Sequence, residues 1–168
     1  MKITRVESLI SKGAFAQSGT WTKIRAEAHT AIAAAEWPVG SGKFTIYPES
    51  GKKTGEGNGV GPIKDNVIAR LTGGKPKHGA LMKLRLRQRT NSPIINEWVS
   101  EYPWPVGERE KDGGSRPGGM DAAYVGEDAL VCFEWETGNI SSSHRSVNKM
   151  CLGLLKGAIK AGILVVPS

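Results

Sequence analysis

The chain has 168 residues, of which 39% are hydrophobic and 23% charged, a globular composition with enough interior for one sizeable core. It contains no apolar run long enough to span a bilayer and no signal-peptide pattern, so we expect a cytoplasmic protein without a membrane partner. The net charge of +7 favours a polyanionic partner such as nucleic acid, although charge alone does not establish one.

The first half of the chain predicts two helices and a strand. Small and apolar residues recur every three or four positions over residues 21–36, which indicates a helix with Thr20 as its N-cap. Residues 43–47 are typical of a short strand. Pro62 opens a second helix that extends to about Leu71, since proline suits the first helical position.

Residues 72–90 form a strongly basic segment. In a strand, its alternating pattern places four cations on one face: Lys83, Arg85, Arg87 and Arg89. Two interpretations are equally supported. The segment is either an edge strand that charge protects from aggregation, or a surface that contacts phosphates of a nucleic acid.

The second half of the chain predicts a strand, a helix and a strand in its last forty residues or so. The predicted elements are a helix over 91–102, a loop over 103–120, a strand over 129–136, a helix over 141–161 and a strand over 163–166. Gly162 is expected to break the long helix. The order strand, helix, strand favours an α/β fold whose last two strands are parallel and joined by a right-handed crossover.

Two glutamates of one predicted strand are candidates for metal chemistry. Glu134 and Glu136 point to the same face of a strand, where they repel each other unless a cation compensates them. Asp121 follows a glycine-rich stretch that lets the backbone turn sharply, and from there an acid can reach the same cation. Carboxylates bind hard cations such as Mg²⁺, as in metal-dependent phosphodiester hydrolases. On the pattern alone, three separate surface acids remain the favoured interpretation.

The run from Phe133 to Lys149 favours the metal site. Its sequence, FEWETGNISSSHRSVNK, closely resembles the catalytic strand and the following helix of BamHI-type type II restriction endonucleases. Shorter matching segments lie at residues 37–38, 57–60, 62–64, 98–103 and 116–118. The resemblance covers roughly residues 1–168. It implies a single domain of the α/β class with a restriction-endonuclease-like core, a mixed β-sheet flanked by helices.

The resemblance also implies the roles of the acids. Asp121, Glu134 and Glu136 match the family's active-site acids, and Glu101 matches a further acid near the site. Together with the carbonyl of Trp135, Asp121, Glu134 and Glu101 would bind Mg²⁺, with two ions expected per active site. Glu136 stands where the wider PD-(D/E)XK class of nucleases usually has lysine, and in this family it is the proposed general base.

Contacts with double-stranded DNA and a homodimer are further implications of the resemblance. Asn139, Ser141 and Arg145 match residues that face the major groove at the start of the helix, although Asn139 and Ser141 also suit helix capping. The helix over 141–161 carries the family's dimer face, and a palindromic DNA site calls for a two-fold symmetric protein.

The chain departs from the family pattern at two places. The family continues beyond the strand that ends near Pro167, so the C-terminal part is expected to be lacking, and residues 72–90 are expected to be an insertion. The expected function is Mg²⁺-dependent hydrolysis of double-stranded DNA at a short palindrome, GGATCC in the family, leaving 5′-phosphates. The alternative is a truncated, catalytically impaired relative that only binds DNA or dimerises.

Overall fold

The structure, a computed structural model, describes residues 2–43, 45, 60–74, 96–106, 118–136 and 140–166. The chain divides into two compact units, Met1–Gly74 and Lys75–Ser168. A single domain over the whole chain therefore stays a prediction.

The described part of the first unit holds two α-helices, and that of the second holds four strands and one α-helix. Their bounds are α1 Gly19–Ala33, α2 Val60–Thr72, β1 Glu97–Tyr102, β2 Met120–Val125, β3 Leu130–Trp135, α3 Ile140–Leu155 and β4 Ala161–Val165. None of the helices among the described residues is long and apolar enough to cross a membrane.

Helix α1 confirms the first predicted helix but begins earlier. Its N-cap is Ser18, whose extended backbone suits a cap and whose hydroxyl oxygen accepts a hydrogen bond from the Trp21 N–H at 3.1 Å. The prediction of Thr20 was wrong because that residue already lies inside the first turn. The buried residues recur at helical spacing: Ile24, Ala28, Ala31 and Ile32.

Helix α2 begins at Val60 rather than at Pro62. Proline is accommodated in the first turn because the N–H group it lacks has no partner inside the helix there. The predicted strand over 43–47 falls mostly outside the described residues. Its neighbour Trp37 donates a backbone hydrogen bond to the Lys43 carbonyl and accepts one from Thr45, both at 2.8 Å.

The basic segment lies outside the described residues from position 75 onward. This includes the four cations Lys83, Arg85, Arg87 and Arg89. Neither interpretation of the segment is tested, and its identity as an insertion stays a prediction.

Strand β1 corrects the prediction of a helix over 91–102. It pairs antiparallel with β2, and Trp98 stands opposite Tyr124. The Trp98 ring packs edge-on against Tyr124, at 5.7 Å between ring centroids, and against Phe133 at 6.1 Å. These cross-strand aromatic contacts decide the conformation, because strand preference depends on packing partners that a local pattern does not contain.

The four strands are adjacent in chain order, β1-β2-β3-β4. The first two pairings are antiparallel, and β3 pairs with β4 in parallel. Helix α3 connects the parallel pair, as a crossover connection must. The predicted α/β class is confirmed, and the mixed sheet with its crossover helix is consistent with a restriction-endonuclease-like core.

Helix α3 ends at Leu155, before the predicted end at 161, because Gly157 adopts a left-handed backbone conformation with φ +67°. The Gly157 N–H donates to the Leu154 carbonyl at 3.0 Å, and the Ala158 N–H donates to the Gly153 carbonyl at 2.9 Å. This pair of hydrogen bonds is a Schellman motif, which satisfies the last carbonyls of the helix.

Gly162, which was predicted to break that helix, lies instead within β4. A Cβ atom there would lie 2.6 Å from the Met150 Sδ atom, so the glycine lets α3 approach the sheet closely. Strand β4 accordingly begins at Ala161 rather than at 163. Five buried residues form the core between sheet and helix: Met120, Ala123, Cys132, Met150 and Ile159.

Replacing Gly157 with Ala is expected to lower the free energy of unfolding by about 1 kcal/mol, because a side chain disfavours the left-handed conformation. The measurement is urea denaturation followed by circular dichroism. The exposed neighbour Lys156 provides the control, and its replacement by Ala should change stability by less than about 0.5 kcal/mol. Equal losses in both variants would contradict this account of the helix end.

Candidate active site

The centre of the candidate site is a buried ion pair between a strand and a helix. Glu134, near the end of β3, accepts a hydrogen bond through Oε1 from the Lys149 ammonium of α3. The two side chains are only 7% and 9% exposed, respectively. A buried carboxylate without a counterion is costly, so Lys149 compensates the negative charge of Glu134 in this structure.

Two of the acids singled out in the sequence, Asp121 and Glu136, act electrostatically on the third, Glu134. Burial raises the pKa of Glu134, and Lys149 opposes this through its hydrogen bond and its charge. The charges of Asp121 and Glu136 raise the pKa of Glu134 further. Glu134 therefore lies in the negative field of two further carboxylates, as expected for a cation-binding site.

Asp121 lies in β2 beside the end of β3. The register that pairs Ala122 with Phe133 brings Asp121 next to Glu134 on the neighbouring strand. Its Oδ2 atom accepts a hydrogen bond from the Trp135 N–H at 2.9 Å, and the residue is half-buried. This contact fixes Asp121 against the backbone segment that links the two glutamates.

Glu136 follows directly after β3 and continues its pairing with β4. The Glu136 N–H donates to the Val165 carbonyl at 2.9 Å. Its carboxylate accepts a hydrogen bond from the hydroxyl of Ser146, a residue of α3 that is buried. The side chain is thereby held by the same helix that supplies Lys149.

Ser146 and Lys149 contact the predicted acids, and the sequence did not predict either of them. They lie three positions apart on α3 and contact Glu136 and Glu134, which lie two positions apart on β3. A separation of three residues spans about 4.5 Å along a helix, and one of two residues spans about 6.6 Å along a strand. The spacings are similar enough for the two side chains of the helix to reach the two glutamates. The available signal was their spacing, because both share a helical stripe with the buried Met150.

Glu101 lies in β1, opposite Asp121 on the neighbouring strand β2. Its neighbours Ser100 and Tyr102 pair with Ala122 and Met120 of β2. Its backbone is left-handed, with φ +52°, and its side chain is exposed. Such a conformation costs a non-glycine residue about 1 kcal/mol or more and is often found at functional sites. Its role as a metal ligand stays a prediction.

The acids have the right chemistry for Mg²⁺, although the structure does not bring them together as a finished ligand set. Among the described residues, no three side chains of the His, Cys, Asp or Glu type form a metal-binding group. Asp121, Glu134 and the Trp135 carbonyl nevertheless offer hard oxygen donors, which Mg²⁺ prefers. Burial is the largest cause of the raised pKa of Glu134, and the charges of Asp121 and Glu136 add to it, so a cation that contacts this carboxylate stabilises its charged form.

The predicted DNA contacts are only partly described. Ser141 and Arg145 are exposed on the first two turns of α3, so both are accessible to a ligand. Asn139 lies outside the described residues. The DNA-binding role of all three stays a prediction.

The fold and the acids together define a class of protein. A mixed sheet with these acids on or beside two neighbouring strands, covered by a crossover helix, is consistent with the restriction-endonuclease-like core expected from the sequence. The family model of restriction endonuclease BamHI matches residues 1–168, and the chain belongs to this family. The family resemblance inferred from the sequence is therefore confirmed.

Two curated relatives support this assignment. The type II restriction enzyme OkrAI of Oceanobacter kriegii is 34% identical over 168 residues, which cover 100% of this chain and 69% of the relative. The type II restriction enzyme BamHI of Bacillus amyloliquefaciens is 34% identical over 143 residues, 84% of this chain and 55% of the relative. Type II restriction enzymes are site-specific deoxyribonucleases, and the chain spans little more than half the length of BamHI.

Proposed function

We propose that this protein is a Mg²⁺-dependent type II restriction endonuclease, which hydrolyses phosphodiester bonds of double-stranded DNA at a short palindrome. The observation that carries the proposal is the negative charge that Asp121 and Glu136 place beside the buried Glu134, at the ends of two adjacent strands, in a family of restriction enzymes. Such an enzyme acts on DNA inside the cell, which makes the cytoplasm its proposed location.

Each acid has a distinct proposed part in the reaction. Asp121, Glu134, the Trp135 carbonyl and Glu101 would hold the metal, with two ions per site. Bound Mg²⁺ supplies positive charge that polarises the phosphate and lowers the pKa of water. Glu136 accepts a proton from the attacking water as a general base, and cleavage leaves a 5′-phosphate.

The helix that closes the site also supports a role in binding DNA. The N-terminus of α3 favours the phosphates of a nucleic acid, since its first N–H groups point outward. The family resemblance assigns base contacts to Asn139, Ser141 and Arg145, and an arginine can donate two hydrogen bonds to guanine. Phosphate contacts from Lys83, Arg85, Arg87 and Arg89 would raise affinity rather than specificity.

The proposed assembly is a homodimer. Leu152 and Leu155 of α3 are 40% and 87% exposed, which supports the use of this helix as an apolar interface. A two-fold dimer would place one active site on each strand of a palindrome.

The test is digestion of a supercoiled plasmid with one GGATCC site, beside a plasmid in which one base of that site is changed. Linear product is expected only with the intact site and Mg²⁺, and ligase should rejoin the ends without prior phosphorylation. Equal cutting of both plasmids would overturn the specificity. A folded protein that shifts DNA in a gel, with steep salt dependence but no cleavage, would instead establish the alternative of binding alone.

A further inference from the structure

The ammonium group of Lys149 is surrounded by groups that favour a cation. It contacts Glu134 Oε1 and lies 3.1 Å from the Gly119 carbonyl oxygen and 3.4 Å from that of Gly118. Its fourth neighbour is the ring of Trp104, whose centroid is 5.5 Å away. A carboxylate, two carbonyls and an aromatic face all favour positive charge.

The Glu134 carboxylate belongs both to this site and to the proposed metal site. Glu134 is the carboxylate that Lys149 neutralises, and it is also a proposed ligand of Mg²⁺. The backbone that accepts the other Lys149 hydrogen bonds leads directly into β2 and Asp121, the second proposed ligand. The ammonium therefore contacts one proposed metal ligand, Glu134, and the backbone just before the other, Asp121.

We propose that Lys149 is a tethered competitor for the metal at Glu134, so that a divalent cation binds there only by displacing the ammonium. This inference rests on the proposed metal-binding role of Asp121 and Glu134. Lys149 is thus a positioning residue that holds the acid in place before the metal arrives.

Competition lowers the apparent affinity for metal. Because Lys149 is attached to the helix that packs on β3, its ammonium is present at high effective concentration. A metal then binds only to the fraction of molecules in which Glu134 is released, and its apparent Kd rises accordingly. Removing the ammonium should restore the intrinsic affinity.

The experiment measures Mn²⁺ binding to the full chain without DNA, from the loss of the free-ion signal in electron paramagnetic resonance. Mn²⁺ is the probe because it takes the same oxygen ligands as Mg²⁺. Lys149→Met, which keeps the length but removes the charge, is expected to bind Mn²⁺ with a Kd lower by about tenfold or more. Lys156→Met removes an exposed lysine after the same helix and should leave the Kd unchanged.

Two further variants assign the effect. The gain should vanish when Glu134→Gln is added to Lys149→Met, and Lys149→Arg, which keeps the charge, should bind Mn²⁺ as weakly as the unaltered protein. A Kd in Lys149→Met that equals or exceeds that of the unaltered protein overturns the inference, as does undetectable binding in both proteins.

Failure of the inference and failure of the proposed function give different results. Site-specific plasmid cleavage together with equal Mn²⁺ affinities overturns only the competition. Tighter binding in Lys149→Met without cleavage by the unaltered protein overturns only the nuclease activity. If the variants at 149 do not fold, acetylation of the unaltered protein replaces them. Mn²⁺ should then accelerate modification of Lys149 relative to Lys156, and an unchanged ratio overturns the inference.

Discussion

Replacing Glu136 with Gln is expected to lower the rate of plasmid cleavage by a factor of about 10² to 10⁴, the usual contribution of a general base. Glutamine keeps an oxygen that accepts the Ser146 hydroxyl hydrogen bond, so the contact with α3 is retained while the negative charge is lost. The measurement is the single-turnover rate of linearisation with saturating Mg²⁺ and excess enzyme.

The control is Glu127→Gln, the same substitution at an exposed acid between β2 and β3. Its cleavage rate should match that of the unaltered protein. Full activity in Glu136→Gln would remove that residue from the reaction. Glu134→Gln makes a poorer test, because it would remove the carboxylate that pairs with the Lys149 ammonium; losing the charged partner of a buried ion pair costs about 3–5 kcal/mol of stability.

Phe133→Ala should lower the free energy of unfolding by about 3–5 kcal/mol, the usual result of truncating a buried phenylalanine. The side chain is fully buried and packs edge-on against Trp98. Because Phe133 directly precedes Glu134 in β3, the cavity would also loosen the strand that holds the acids. Urea denaturation measures the loss, and the midpoint of unfolding is expected to fall.

Phe15→Ala is the matched control, since Phe15 is only half-buried and lies in the first unit. It should cost clearly less than the truncation at 133. A loss below about 1 kcal/mol in Phe133→Ala would show that the sheet closes over the cavity, contrary to the dense packing expected of a protein interior.

The last part of the fold could be predicted because its signals are local. A strand, an amphipathic helix and a second strand follow one another, and each has a clear period. The pairing of Glu134 and Glu136 on one face needed only the two-residue repeat of a strand. Asp121 required more, because its position depends on the register between β2 and β3, and the family resemblance supplied that link.

The errors arose where distant residues decide the structure. Strand β1 depends on the packing of Trp98 against two aromatic residues on other strands, which its own sequence does not reveal. Helix α3 ends just before Gly157, whose backbone is left-handed. Gly162 was predicted to break the helix, but it lies in β4, where the absence of a side chain lets Met150 pack closely. Ser146 and Lys149 were not predicted because their contacts depend on which strand packs against α3, and the helix sequence alone does not show this.

The buried ion pair of Glu134 and Lys149 does not maximise the stability of the fold, but it keeps a carboxylate at the proposed metal site. Replacing a buried ion pair by apolar residues of similar volume is often neutral or even stabilising, by about 1–4 kcal/mol. A sequence optimised for thermal tolerance alone would therefore place hydrocarbon at both positions. Engineering a hardier form of this protein should begin elsewhere, because any gain in durability at this pair would come from dismantling the proposed metal site.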